Sequence, residues 1–400
     1  MTTAISPPTI RHATRPTWAE VSLARLRENF HAVQRHLGKG VTVCAVVKAD
    51  AYGHGAVPCS LALEEEGARW FGVTSLDEAI PLRQAGISSR ILLMTGFWRG
   101  EEAEIVHLNL TPTVWEREQI ELLEYAAAKQ GIASYPIHLK IDTGMGRLGA
   151  SPDGVQEIVA SLQRAPHLQV EGVSTHLASS EVLDEPSVDE QLQCFEQVLD
   201  SLRRQQIDPP LMHSANTSAV ISRSRSWFNY VRPGLALYGY FLPFERAGRE
   251  VSGSDLRLDV RPALTWKTRV LSLRDVPAGQ ALGYGGTYVT KAPARVAVLP
   301  VGYADGLNRQ ISAHGRVIVR EHYAPIVGRI SMDLTLVDVT GLPGIGPGDE
   351  VILLGASDGL TVDAREHAAL AGTVPYEILC NISKRVPRRY SGATPPREVG

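Results

Sequence analysis

The stretch Val41-Thr-Val-Cys-Ala-Val-Val47, followed at once by Lys48-Ala-Asp-Ala-Tyr-Gly-His-Gly55, decides how this chain folds. Four apolar residues, Cys44 to Val47, run directly into a lysine. That reads as a buried strand with Lys48 at its C-terminal end. Short runs of the same kind recur at Trp70–Thr74, Arg90–Met94, Thr111–Val114, Pro136–Ile141, Glu171–Thr175, Leu211–His213 and Tyr230–Ala236. Between them lie amphipathic segments at Ser22–Leu37, Leu76–Ala85, Glu116–Gln130, Asp153–Arg164 and Ser187–Gln205, with apolar residues three and four apart. Eight strands alternating with helices predict an α/β fold, a (β/α)8 TIM-type barrel. An open doubly wound sheet is the rival arrangement, because several of the strands are short.

The texture changes after Tyr240. Leu242 to Val260 is charged and irregular and reads as a linker or insertion. Strand patterns then dominate, at Ala263–Leu273, Ala294–Val301, Arg316–Val319, Ala324–Val327, Leu334–Asp338 and Glu350–Leu354, with a short helix at Val362–Ala371. Pro and Gly turns separate them, which predicts a C-terminal, mostly antiparallel β-domain. The expected division is residues 1–18 as an N-terminal strand or extension packing on the β-domain, 19–241 as the barrel, and 242–400 as linker and β-domain.

A chain of 400 residues with 44% hydrophobic composition can build a large barrel and a second domain. A net charge of -3 favours neither nucleic acid nor an anionic membrane. Four cysteines, Cys44, Cys59, Cys194 and Cys380, are too few for a disulfide framework, and Cys44 and Cys380 read as buried thiols. No cysteine–histidine cluster suggests a metal. The N-terminus lacks the apolar core of a secretory signal, and no apolar run is long enough to span a bilayer. The expectation is a cytoplasmic enzyme.

A lysine at the mouth of a barrel strand can lose its proton by desolvation and attack an aldehyde. Alternatively it snorkels into solvent. The barrel reading favours the first. Lys140 ends the fifth strand, His176 the sixth, and His213 and Asn216 the seventh, while Arg232 and Gly234 lie on the eighth. Polar residues at the C-terminal ends of several barrel strands converge on one site.

The run Val46-Val-Lys-Ala-Asp-Ala-Tyr-Gly-His-Gly55 resembles the cofactor-attachment motif of the alanine racemases. Seven further matches keep the family order: Arg15-Pro-Thr-Trp-Ala-Glu20, Asp142-Thr-Gly-Met-Gly-Arg-Leu-Gly149, Val231-Arg-Pro-Gly-Leu-Ala-Leu-Tyr-Gly239, Gly283-Tyr-Gly285, Gly302-Tyr-Ala-Asp-Gly306, Gly328-Arg-Ile-Ser-Met-Asp333 and Val374-Pro-Tyr-Glu377. They span nearly the whole chain. The resemblance implies pyridoxal 5'-phosphate (PLP) as cofactor and a head-to-tail homodimer in which both subunits build each site. It also implies interconversion of L- and D-alanine, supplying D-alanine for peptidoglycan.

Racemisation removes an α-proton from one face and returns it to the other, so it needs an electron sink and two bases. By resemblance, Lys48 anchors PLP and serves the D-enantiomer, and Tyr284 serves the L-enantiomer. Without the motif, Tyr284 reads as a packed turn tyrosine. An unperturbed phenol ionises near pH ~10, so nearby positive charge is needed. Arg147 and His176 are the expected sources. Arg232 matches the arginine that faces the pyridine nitrogen; otherwise it reads as the partner of a surface carboxylate. Tyr52, Asn216, Thr217, Gly234 and Tyr376 join His176 as implied cofactor contacts, Thr217 standing where the family more often has serine. Arg147 and the Met332 N–H are the implied carboxylate contacts, although Met332 alone reads as a core methionine. Tyr303 and Asp333, with Tyr376, are the implied lining of the entrance. Lys140 matches a lysine often carbamylated in the family, with pairing to Asp142 as the alternative. Asn308 departs from the family pattern beside that entrance.

Three rivals remain. A non-catalytic PLP carrier on a similar barrel would lack the β-domain and Tyr284. A barrel decarboxylase would want an acid where Arg232 stands. A serine or broad-specificity racemase keeps the chemistry and changes the substrate.

Overall fold

The computed structural model describes residues 15–251 and 253–392. The chain forms two units. One is Leu23–Ala263, and the other combines the strand Trp18–Ser22 with Leu264–Ser391. The expected N-terminal extension lies outside the described residues as far as Thr14.

Eight parallel strands build the first unit: Thr42–Val46, Trp70–Val73, Arg90–Leu93, Thr111–Val114, Tyr135–Lys140, Leu168–Ser174, Leu211–His213 and Tyr230–Val231. Each pairs with the next through the seventh, and the eighth pairs with the first, Thr42 opposite Tyr230. That pairing leaves a single seam in a nearly closed barrel. The seam between the seventh and eighth strands is closed by a side chain. Asn229 Oδ1 accepts from the Met212 N–H (2.8 Å), and its Nδ2 donates to the Pro210 carbonyl (2.6 Å). The Arg232 N–H then donates to the Ala215 carbonyl at 2.9 Å.

The eighth strand is shorter than its apolar pattern suggests. Pro233 has no N–H for a ladder, and the chain turns into a 3-10 segment at Leu235–Tyr238. Part of the expected linker forms regular structure too. Phe244–Arg246 and Arg249–Val251 form a hairpin whose turn residues Ala247 and Gly248 both have positive φ, as a two-residue turn requires. Only Phe244 is buried there, so the stretch lacked a strand-like alternation.

The barrel interior is partly polar. Trp70 and Tyr230 meet edge-on at 5.5 Å in a cluster with Cys44 and Leu92. Below them Arg90 forms a two-pronged pair with Glu171 (2.9 and 2.6 Å) and lies over Trp70. Cys44 and Cys59 are buried, but Cys380 is exposed, which corrects its reading as a core thiol. It ends the short helix Pro375–Cys380, whose buried face is Ile378 and Leu379.

The second unit is built on one sheet, antiparallel except where Trp18–Ser22 runs parallel to Arg388–Ser391. The other edge of Trp18–Ser22 pairs antiparallel with Leu264–Arg269. From there the ladder runs through Glu350–Ser357, Arg316–Val319, His322–Val327, Thr335–Asp338 and Ala294–Leu299 to Ser272–Val276. Among the described residues, no helix is long and apolar enough to cross a membrane.

Candidate active site

Lys48 stands where the first barrel strand ends, one residue after Val47 donates to the Gly72 carbonyl at 2.9 Å. The chain then winds the wrong way. Ala49, Asp50, Ala51 and Tyr52 all have φ between 51 and 54°. Left-handed backbone costs an L-residue roughly 1–2 kcal/mol, so four in a row must be held in place. The turn makes its own bonds, Ala51 N–H to Val47 O (2.8 Å), Gly53 N–H to Ala49 O (3.0 Å) and Gly55 N–H to Asp50 O (2.8 Å). Two carboxylates close its ends: Glu78 accepts from the Ala49 N–H at 2.6 Å, and Asp50 from the Ala56 N–H at 2.7 Å.

The turn buries Tyr52 against Tyr238, ring centres 4.9 Å apart, with its hydroxyl beside Gly234. A Cβ at Gly234 would lie 2.2 Å from Tyr52 Oη. Thr217 Oγ1 accepts from the Gly234 N–H (3.1 Å), so its own proton is left to donate elsewhere. Asn216 caps the short helix Thr217–Ser222, its side-chain oxygen accepting from the Ala219 N–H at 3.0 Å.

Arg232 is buried, and its partners are neutral. It donates to the Thr175 carbonyl (2.8 Å), to the Ser214 carbonyl (3.2 Å) and, closely, to His213 Nδ1. A buried guanidinium held only by neutral acceptors calls for an anion. It also sets the tautomers behind it. Burial and Arg232 push His213 well below the usual histidine range, and burial pushes His138 down. Both rings are therefore neutral. His213 accepts at Nδ1, so its proton is on Nε2, pointing at His138 Nδ1 2.9 Å away. The proton of His138 is then on Nε2, facing Glu171 at 3.6 Å.

His176 is pushed down to about 3 by burial, then by Arg232, Lys140, Arg147 and Lys48. It is neutral, so it cannot be the source of positive charge expected of it. The positive charge at this end of the barrel is carried by Lys48, Lys140, Arg147 and Arg232. Lys140 is pushed down to about 8 by burial, Arg232 and Arg147, with Asp142 opposing. Asp142 does not pair with Lys140 by a close contact. It accepts from the N–H groups of Gly144, Gly146 and Arg147 and shapes the loop that carries the Arg147 side chain.

Tyr284, Tyr303, Met332, Asp333 and Tyr376 belong to the other unit. Tyr284 is 71% exposed on a 3-10 turn between Ala281–Leu282 and Tyr288–Val289. It is thus no packed turn residue. With Gly283, Arg329, Ser331, Leu334 and Leu336 it lines an open hollow. Met332 is also exposed, against its reading as core. Tyr303 and Met332 sit on two loops joined by Tyr303 N–H to Ser331 O (3.0 Å) and Ala304 N–H to Met332 O (3.1 Å). Gly302 allows that approach, since a Cβ there would lie 2.2 Å from the Ser331 carbonyl. Buried Asp305 anchors both loops. Arg15 grips it with two bonds (2.7 and 2.8 Å), while Arg385 spans from Asp305 to Asp333. Tyr376 is half-buried on the helix Pro375–Cys380, and Asn308 caps the turn at Arg309–Ile311.

The structure therefore brings Lys48, Tyr52, Lys140, Arg147, His176, Asn216, Thr217, Arg232 and Gly234 to one end of the barrel. Sequence reasoning missed Glu78, Asp305 and the His138–Glu171 pair. Nothing in single-residue patterns marks them, because each acts through folded neighbours.

Family models described as alanine racemase, N-terminal domain and alanine racemase, C-terminal domain match residues 21–241 and 263–390. An alanine racemase of Halothermothrix orenii is 40% identical over 380 residues, 95% of this chain and 98% of that one. The crystal structure of alanine racemase from D-cycloserine-producing Streptomyces lavendulae superposes with a TM-score of 0.87 at 34% identity, covering 95% of this chain and 98% of the other. The Bartonella henselae alanine racemase, solved with covalently bound pyridoxal phosphate, gives 0.81 at 29% identity, covering 94% and 99%.

Proposed function

The chain belongs to the alanine racemase family and interconverts L- and D-alanine, and from that premise we propose that it holds PLP at the barrel mouth and works with two bases. The observation that carries the site is Arg232, a buried cation with neutral partners beside a neutral His176. Such a pocket suits a phosphorylated, anionic cofactor. Lys48 would anchor it covalently. Tyr52, Thr217 and the Gly234 backbone would hold its phosphate with Asn216 and Tyr376, and His176 would pack on its ring. Arg232 can donate to a ring nitrogen and has no proton acceptor, so that nitrogen stays unprotonated. When bound, the cofactor supplies an electron sink for the charge left at Cα.

The protein's own groups do the rest. Arg147 and the Met332 N–H orient the substrate carboxylate. Lys48 takes or returns the proton on one face of Cα, and the Tyr284 phenol serves the other. The exposure of Tyr284, Tyr303 and Met332 supports a homodimer in which one subunit's β unit completes the other's barrel. Tyr303, Tyr376 and Asp333 would keep the pocket small, since a methylene is worth roughly 1–3 kcal/mol of discrimination. A Lys140 pushed down to about 8 has an appreciable neutral fraction near that pH, which supports carbamylation. The carbamate would hold Arg147 in place. Use in peptidoglycan supply in the cytoplasm fits this reading.

The test is chiral analysis of L-alanine incubated with the purified protein and PLP, in the parent and in Tyr284→Phe. The variant is expected to keep its cofactor and lose roughly 10²–10⁴-fold in rate. Equal loss of cofactor and rate would overturn the role of Tyr284.

A further inference from the structure

One carboxylate reaches the residue just after the anchor lysine, and it comes from a different element. Glu78 lies in the first turn of the helix Leu76–Gln84, next to the end of the second barrel strand. Its Oε1 accepts from the Ala49 N–H at 2.6 Å. Its Oε2 accepts from the Thr74 N–H (2.7 Å) and the Thr74 hydroxyl (2.8 Å). Thr74 is tied onward, its carbonyl accepting from the Thr95 hydroxyl. The Lys48–Ala49 peptide is thereby fastened to the second and third strand ends.

Without that fastening the turn has reason to relax. Ala49 opens four left-handed residues, a conformation each would leave if released. The first N–H groups of any helical turn lack partners within the turn. The Ala49 N–H is one of these. An ionised carboxylate can accept all three donors at once, because it offers acceptor sites only. A glutamine cannot: whichever way its amide faces, an N–H meets an N–H.

We propose that Glu78 is a positioning residue for racemisation: by capping Ala49 it locks the left-handed turn and so fixes where the Lys48 amine can stand. The inference rests on Lys48 being the anchor and the base for the D-enantiomer. It predicts an effect on one face of Cα only, since Tyr284 is carried by the other unit.

A matched control lies elsewhere on the barrel unit. Glu64, at the end of the helix Ala56–Glu65, accepts from Ser88 N–H (3.0 Å), Ser88 hydroxyl (3.2 Å) and Ser89 N–H (2.7 Å). It is a three-donor clamp as well, on Oε1 alone, and none of its donors lies in the Lys48–Tyr52 turn. The experiment compares Glu78→Ala and the isosteric Glu78→Gln with Glu64→Ala and Glu64→Gln, in the full chain. Primary isotope effects are measured with Cα-deuterated D- and L-alanine. Amide hydrogen exchange of the segment around Ala49–Tyr52 is measured with and without PLP.

In both Glu78 variants the cofactor is expected to remain attached while kcat falls roughly tenfold to a hundredfold, the loss a displaced catalytic group causes. The isotope effect from D-alanine should rise relative to that from L-alanine, and exchange at Ala49–Tyr52 should quicken even without PLP. Neither Glu64 variant should show this pattern. Unchanged exchange, kcat within twofold of the parent, or isotope effects rising equally for both enantiomers would overturn the proposal. Failure of the underlying reading looks different: Lys48→Ala would still carry PLP covalently.

Discussion

Gly234→Ala puts the fit of the cofactor cradle to a quantitative test. The added Cβ would lie 2.2 Å from Tyr52 Oη and 2.9 Å from its Cζ, so something must move. Neither side yields readily. Tyr52 comes out of a left-handed turn and packs on Tyr238, whose own hydroxyl donates to the Val46 carbonyl at 2.9 Å. The Gly234 N–H is held by Thr217, and the preceding Pro233 carbonyl accepts from the Val46 N–H at 3.1 Å. Overpacking of this kind costs about 1–3 kcal/mol. If the phenol swings away in the cofactor-free protein and must return on binding, the cost appears in PLP affinity, about 5- to 150-fold. Otherwise it appears in stability. Titration of cofactor-free protein with PLP and urea unfolding of the same sample should therefore give losses that sum to about 1–3 kcal/mol. Tyr52→Phe removes the closest contact. In the double variant the combined loss should be smaller than the sum of the single losses by about 1 kcal/mol or more. Parent-like affinity and stability in Gly234→Ala, or strict additivity with Tyr52→Phe, would refute the close approach.

Other consequences are equally accessible. Lys140, lowered to about 8, should gain the mass of carbon dioxide in bicarbonate increasingly as pH rises through 8, which intact-mass measurement detects and Lys140→Arg abolishes. Because its folded value lies below its unfolded one, its charged form opposes folding below pH 8, and that penalty should fade from pH 8 to about 10.5 in the unmodified protein. His176, at about 3, is neutral in the fold but protonates near 6.5 when unfolded, so stability should fall as pH drops from 6.5 towards 3. Thermal unfolding at stepped pH should show a shallower decline in His176→Asn. Asp305→Ala removes the acceptor shared by Arg15, Arg385 and the Gly302 N–H and should lower the midpoint of denaturant unfolding.

The barrel was legible because its signal is repeated. Seven of the eight strand positions match apolar runs to within a few residues, and the first, fifth, sixth and seventh lead into residues of the site: Lys48, Lys140, His176 and Asn216. The eighth, Tyr230–Ala236, overran because Pro233 sits inside an otherwise apolar run. The hairpin at Phe244–Val251 was hidden for the opposite reason. It is secured by backbone bonds to the loop after the sixth strand, Leu183 N–H to Glu245 O (2.8 Å) and Glu245 N–H to Glu181 O (2.9 Å), which need no apolar pattern. Cys380 misled because a run of apolar letters says nothing about which face of a short helix is covered.

The site was legible only at its ends. Lys48, His176 and Arg232 occupy strand termini, and barrel geometry gathers such termini whatever the sequence around them. Their protonation states are a property of the gathering. His176 read as a cation while it was a lone histidine. Buried among Arg232, Lys140, Arg147 and Lys48 it becomes neutral, because burial first and then each neighbouring cation raise the cost of one more positive charge. The same crowding explains why Arg232 has only neutral partners. With His213 accepting from it and His138 accepting from His213, the nearest carboxylate along that line is Glu171, two rings away. Positive charge is thereby concentrated at this end of the barrel, with Asp142 the carboxylate that acts on Lys140. An anion arriving there would be drawn by Arg147 and Arg232 whether or not Lys140 carries a carbamate. A motif can single out one lysine, but the charge at this end of the barrel is contributed by four separate strand ends and loops.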